Sequence, residues 1–466
     1  MKRLSALAAL FAAVCLQAQT ITPEQLDQLK GSFDRDNAAT IALQNILTGT
    51  NDLKTAAHNH AKEGATDHLF KYKTDVRGIT DQQRSGRCWL FTSTNQIRPL
   101  VMRKYNLDAF QFSNNYCYFW DLLEKANLFL ENVIATADRD FDDRAVVTYF
   151  RAPVADGGVW NLFYNVVEKY GIVPDTVMCE TANSNNTSQM LGVINECLRA
   201  AGYNIREAAM VSAKGKKALA AREARVAELK LAALKDVYRI LALCLGEPPT
   251  EFTWRYATRD GKIESISTTP LEFWKGIRPA DFGPDNYVMI MNDPTREYYR
   301  IYEIENYRNT VEGLNWKYLN LPNDDIKAAA LASIKAGEPM YASCDVGKQI
   351  NREKGIMDMG MYDYAKLLGV NLSMDKKARI LTRQSGSSHA MLLVACDTDD
   401  SDVPVKWQFE NSWGPSAGYR GYLTFTDDWF IEYMFRLVIN RKYLDSKAIE
   451  ALASKPVMLP PWDYMF

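Results

Sequence analysis

The chain has 466 residues, 47% of them hydrophobic and 24% charged, with a formal net charge of −2. These values exclude a mainly disordered chain, a collagen and a multi-span membrane protein, and they leave no whole-chain basic field for nucleic acid. The length accommodates roughly two to four domains, or one elaborated domain. Eight cysteines and only four histidines (His58, His60, His68 and His389) make thiol and imidazole chemistry easy to survey.

At the N-terminus, Lys2 and Arg3 precede an apolar run from Leu4 to Leu16, and Ala18 sits just before Gln19. A charged start, a short apolar stretch and a small residue at the exit predict a secretory signal peptide over 1–18. The run is too short for a spanning helix. The expected location is the periplasm or the cell exterior; lipidation at Cys15 is a weaker reading, because Val14 stands where a small residue is wanted. Seven cysteines then remain, an odd number, and no CxxC pair suggests structural zinc. Residues 19–75 read as a polar N-terminal arm with an amphipathic start (Leu26, Leu29, Phe33). The run CWLFTSTNQIRPLVMRKY from Cys88 predicts a buried helix, with Pro99 as a warning, since proline inside a helix bends or ends it. Gln111 to Val133 predicts a second helix capped by Ser113.

Further along, DGGVW at 156–160 reads as a turn. Val226, Leu229, Ala233, Val237, Ile240 and Cys244 recur at helical steps. Lys214, Lys216 and Lys217 open that segment, but Glu223, Glu228 and Asp236 interleave, as on a solvated helix face. After Gly337 the texture turns strand-rich, in MYASCDV, HAMLLVACD, VKWQFENSW, YLTFTD and MFRLVIN. No later stretch is apolar enough to span a membrane, and no internal repeat is visible.

A thiol nucleophile needs a base, and the base needs an orienting partner. Cys88 follows the turn SGR and opens an apolar helix, where unpaired amides favour a thiolate. The other cysteines lie in apolar or helical runs and read as packing residues. His58, His60 and His68 sit in a polar stretch, and the pair His58/His60 is poorly spaced for a metal. His389 begins an apolar strand, and Asn411 follows 22 residues later at the end of the next strand. Two antiparallel strands would set these side chains together, with the Asn amide fixing the imidazole and Trp413 shielding the bond. Gln82, six residues before Cys88, supplies an amide for an oxyanion beside the Cys88 N–H. A thiol paired with His389 is expected to fall to roughly 3.5–7.5.

These residues resemble the papain-like cysteine peptidases. The strings QQRSGRCWLF (82–91), DGGVWN (156–161), EKYGIVP (168–174), LGEPPTEFTW (245–254), CDVGK and GIMDMGMYDY (within 344–364), SSHAML (387–392) and ENSWG (410–414) narrow the resemblance to the bleomycin hydrolase and aminopeptidase C family. The 301-residue separation of Cys88 from His389 suits that family, whose core carries large insertions. The resemblance implies an α+β fold: a papain-like core, made of a helical half and a β-barrel-like half, with a large helical insertion and arms at both ends. In numbers, it implies a helical half with the nucleophile over 76–180, a mainly helical insertion over 181–335, a β-rich half over 336–445 and a C-terminal arm over 446–466. Ser85 stands where many papain-like enzymes have a disulfide cysteine. The family usually ends in a longer tail whose carboxylate reaches the cleft; here the chain ends WDYMF, so the Phe466 carboxylate is expected to stop short.

The resemblance further implies a cysteine aminopeptidase in which Cys88 attacks a peptide carbonyl, His389 relays the proton, Asn411 orients His389 and Gln82 holds the oxyanion. Gly157, Gly158, Trp413 and Phe466 would line the substrate. No metal or organic cofactor and no nucleic acid are expected; the expected partners are peptides and copies of the chain in a homohexamer. The short tail keeps a dipeptidyl-, oligo- or endopeptidase open as an alternative. A non-catalytic oligomeric binding protein and a transglutaminase-like acyltransferase are the rivals from other classes.

Overall fold

The computed structural model describes residues 20–49 and 51–464. The expected signal segment 1–18 and the terminal Phe466 lie outside the described residues.

The described chain forms two compact units. The smaller comprises residues up to His58 together with Asp363–Gly369. Its helices are Pro23–Gly31, Ala38–Gly49, Leu53–Ala57 and Tyr364–Leu368. Thr22 and Gln25 cap the first reciprocally, each side chain bonding the other's backbone N–H. Leu26, Leu29 and Phe33 are exposed, and neither of the first two helices buries a residue. Residues 59–75, expected to belong to the arm, lie in the larger unit, where Tyr72–Lys73 pairs with Ala395 and Cys396.

The larger unit is built on a twelve-stranded sheet among the described residues. Its order is Val457–Leu459, Arg300–Ile304, Lys317–Asn320, Tyr287–Met291, Met434–Asn440, Met340–Cys344, His389–Thr398, Pro404–Glu410, Tyr422–Thr426, Ile356–Met357 and Ile350–Asn351, with Tyr72–Lys73 added to the His389 strand. Strand alternation divides the side chains between two cores. Tyr341 and Ala390 join a helical core with Trp89, Phe119 and Phe163, whereas Met340, Ala342, Met391 and Leu393 join a second core with Trp407 and Phe409. The helices of the first core are Cys88–Lys104, Asn114–Ala135, Trp160–Tyr170, Ser188–Met210 and Lys216–Leu245. Ser113 caps the second of these through the Tyr116 N–H, and the first continues through Pro99.

The long helices of 181–335 end at Leu245, and only two shorter ones, Pro270–Ile277 and Asn323–Lys335, follow in that range. From Phe252 to Asn320 the chain forms five strands, three of which enter the main sheet. Those strands are four to six residues long, and a short apolar run such as YVMIM has no periodicity that separates it from buried helix.

Arg98, on the Cys88 helix, joins the two halves. Its guanidinium donates to Glu410 Oε1 at 2.8 Å and Oε2 at 3.0 Å, to Gly78 O at 2.9 Å and to Asn95 Oδ1 at 2.8 Å. Asn95 in turn donates to Thr80 Oγ1 at 2.9 Å. Both charged side chains are buried; burial pushes the Glu410 carboxyl up while Arg98 pulls it back. Removing one partner strands the other charge, which typically costs about 3–5 kcal/mol. Arg98→Met is therefore expected to lose about that much in urea unfolding, and Arg98→Met combined with Glu410→Leu to recover most of it. A single variant as stable as the parent would show that the pair holds nothing together.

Candidate active site

The helix that carries Cys88 begins at Cys88, and its first turn has no side-chain cap. The helix packs on the His389 strand. That contact brings the Cys88 sulfur, itself half-buried, against the backbone N–H of Ala390, the residue after His389. The strands His389–Thr398 and Pro404–Glu410 are antiparallel, with Leu392 opposite Glu410. Asn411 leaves the second strand beside the start of the first, and His389 Nε2 bonds Asn411 Oδ1 at 2.8 Å. This bond leaves His389 Nδ1 for the thiol side. The same Asn411 oxygen accepts the Ser412 N–H at 2.8 Å. Trp413 stacks on the imidazole with ring centres 4.8 Å apart and planes 26° apart, so the shielding expected of it is present.

Gln82 is zipped to the Asn411 loop. Its N–H donates to Ser412 O at 2.9 Å, and the Gly414 N–H donates to Thr80 O at 3.0 Å. The Ser412 hydroxyl donates to Gln82 Oε1 at 2.7 Å, and Gln82 Nε2 donates to Ser85 O at 2.6 Å. An amide nitrogen carries two hydrogens, so a second remains for a ligand. His389, Asn411, Ser412 and Gln82 thus stand in one local network with Trp413 stacked on the imidazole, and the Cys88 helix packs against the His389 strand.

Gly157 and Gly158 border it through Asp156. The Asp156 carboxylate accepts the Gly86 N–H and the Thr187 hydroxyl, both at 2.6 Å, and its carbonyl accepts Trp89 Nε1 at 2.8 Å. A Cβ on Gly158 would stand 2.7 Å from the Trp89 ring, and one on Gly86 would stand 2.4 Å from the Asp156 carboxylate. Gly157 instead faces open space, and its carbonyl accepts Lys125 Nζ at 2.8 Å. Asp156, Ser412 and Lys125 were not singled out by the sequence reading. Asp156 had a signal, an acid directly before the glycine pair; Ser412 and Lys125 had none, because their partners are 330 and 32 residues away.

The remaining histidine and cysteine expectations divide. His68 stacks on Tyr419 at 3.8 Å and bonds Thr424 Oγ1 at 2.8 Å, a packing role away from the thiol. All seven described cysteines are free. Cys117, Cys344 and Cys396 are buried packing residues as expected, whereas Cys179 is exposed. Among the described residues, no trio of His, Cys, Asp or Glu ligand atoms converges on Cys88 and His389.

The electrostatics run against the sequence expectation for the thiol. Burial pushes the Cys88 thiol up, against the pull of the Ala390, Trp89 and Cys88 amides. Burial, with the Arg352 charge as a smaller contribution, holds His389 down at about 4, against the upward pull of the Asn411 bond. The expectation counted the attraction between thiolate and imidazolium but not the cost of taking both out of water. A histidine depressed from 6.5 to about 4 binds fewer protons folded than unfolded, so its neutral ring contributes stability above pH 6.5 that is lost as the pH falls toward 4. In Cys88→Ala protein, where no thiolate can pair with the ring, NMR titration of His389 is expected to show a neutral imidazole down to about pH 4. A ring that protonates at its ordinary value there would refute burial as the dominant influence.

The sequence profile of the Peptidase C1-like family matches residues 20–466. The chain is 35% identical to human bleomycin hydrolase over 460 residues, covering 97% of this chain and 99% of that protein. It is 34% identical to aminopeptidase C of Listeria innocua over 448 residues, covering 96% and 98%. Among solved structures, the PepW protein of Lactobacillus rhamnosis superposes with a TM-score of 0.89 at 34% identity, over 96% of this chain and 98% of that one. The chain therefore belongs to the Peptidase C1-like family, as a cysteine peptidase of the bleomycin hydrolase and aminopeptidase C type.

Proposed function

We propose that the protein removes residues from the amino-terminal end of peptides by acyl transfer through Cys88. The observation that carries this reading is the His389–Asn411 bond of 2.8 Å on a strand that packs against the Cys88 helix and whose next amide, that of Ala390, favours the Cys88 thiolate. A thiol, an imidazole held by one nitrogen and a spare amide hydrogen on Gln82 make up the set that thioacyl chemistry needs. The likeness to aminopeptidase C supports amino-terminal trimming over internal cleavage.

In the first half-reaction Cys88 Sγ gives its proton to His389 Nδ1 and bonds the substrate carbonyl carbon. Gln82 Nε2 and the Cys88 N–H stabilise the oxyanion. Collapse breaks the C–N bond, and His389 returns the proton to the departing amine. In the second half, His389 takes a proton from water, the hydroxyl attacks the thioester, and Cys88 leaves with the proton restored. Because burial opposes both charged forms, the proton passes to His389 as the substrate arrives and the oxyanion forms, where fixed dipoles in a dry site act most strongly.

Cys88→Ala is expected to abolish hydrolysis in a correctly folded protein, and a surviving peptidase activity would remove the assignment. Asn411→Ala is expected to lower kcat by about tenfold to a hundredfold, within the range of a misaligned general base, with KM little changed. Mass spectrometry of matched free and N-acetylated peptides tests the amino-terminal specificity. Single residues are expected from the free peptide and none from the acetylated one; equal internal cleavage of both would assign an endopeptidase.

The segment from Lys2 to Ala18 supports export by its charge and apolar length. Amino-terminal sequencing of protein from the native host is expected to begin at Gln19, and a start at Met1 would refute export.

A further inference from the structure

Arg352 lies at the edge of this site, where its charge exerts a small downward pull on the His389 imidazole. It opens the turn between the short strands Ile350–Asn351 and Ile356–Met357, which pair in register. The turn is rigid. Asn351 is buried, and its Oδ1 accepts the Lys354 N–H at 3.1 Å. Gly355 has φ +66°, and a Cβ there would stand 2.4 Å from the Tyr419 nitrogen. The Gly355 carbonyl accepts the Thr424 N–H at 2.7 Å. Held by this turn, the exposed Arg352 guanidinium lies over the Trp413 ring, 4.8 Å from its centre. Trp413 in turn stacks on His389 at 4.8 Å. Among the described residues, no carboxylate pairs with Arg352. Glu353 and Lys354 are the other charged groups of the turn.

An arginine seated over an aromatic ring, near the surface and without an acid partner, is a carboxylate receptor in waiting. Its planar fork is pre-oriented by the indole, and its donors match a carboxylate pairwise. The side of the site is fixed by the mechanism. The departing amine takes its proton from His389, so its nitrogen must come within hydrogen-bond reach of that imidazole. His389 Nε2 is occupied by Asn411, and the indole of Trp413 covers a ring face. A leaving segment that runs out past Trp413 passes under the Arg352 charge.

We propose that Arg352, seated on Trp413, forms a subsite that favours a carboxylate on the leaving segment of the substrate. The proposal rests on the acyl-transfer reading of the same site and names the substrate class that it prefers. The carboxylate comes from one of two sources: an acidic side chain at the first leaving residue, or the free C-terminus of a dipeptide. An exposed pair of this kind is worth up to about fivefold in an equilibrium or rate ratio at ordinary salt, and less as salt rises.

The test uses two pairs of substrates with one common N-terminal residue. One pair is a dipeptide as free acid and as C-terminal amide. The other is a longer, C-terminally amidated peptide with Glu or Gln at the first leaving position. The readout is the ratio of kcat/KM within each pair, in which changes common to both members cancel. In the wild-type protein the acid member is expected to lead by about fivefold in at least one pair, and the pair that discriminates identifies the source. Arg352→Gln is expected to bring that ratio near one, and Arg352→Glu to invert it. Equal rates within both pairs in the wild type, or an acid preference unchanged in Arg352→Gln, would overturn the subsite while leaving the peptidase assignment intact. A wild-type protein that cleaves none of the four peptides would instead remove the peptidase reading and the subsite with it.

Discussion

The Arg98 guanidinium and the Glu410 carboxylate meet at 2.8 Å with both side chains out of water. Arg98 belongs to the helix that opens with Cys88, and Glu410 is the last residue of the strand that Asn411 follows. The same guanidinium holds the Gly78 carbonyl, and through Asn95 it reaches Thr80, just before Gln82. One cation therefore sets the relative positions of Cys88, Asn411 and Gln82. A hydrophobic substitute of equal volume would fill the space, but it would not specify which backbone segment meets which.

Around that anchor the site is assembled from opposing demands. Water must be kept from the thiol and the imidazole, and burial accordingly disfavours charge on each. Backbone amides supply the counterweight: those of Ala390, Trp89 and Cys88 pull the thiol down. Side chains serve mainly to hold backbone in place. Asp156 fixes the turn before Cys88, and Lys125 fixes the Gly157 carbonyl. Preorganised dipoles of this kind lose little on reaction, because they do not reorient.

Much of this was legible in the residue order, and the parts that were not share a cause. Helices with long periodic faces, such as Lys216–Leu245, and strands with strong apolar runs, such as His389–Thr398, announce themselves locally. So does the set of Gln82, Cys88, His389 and Asn411, because scarce residue types stand in distinctive strings. The strands between Phe252 and Asn320 were hidden by their length, being too short for a period to show. Lys125, Ser412 and Arg352 were hidden by distance, since each acquires its meaning from a partner that only folding brings near. The pull of burial on Cys88 and His389 was hidden for a further reason: desolvation belongs to the whole surroundings and not to any motif.

The hydrogen bonds that zip Thr80 and Gln82 to Ser412 and Gly414 have one more consequence. Each functional loop is held by the other, and neither is secured by its own half alone. Gln82 and Asn411 are thus members of a single cooperative unit. Parting the two halves would dismantle both at once, so the protein has no half-built site to idle in, and its turnover is a direct gauge of whether the halves are closed.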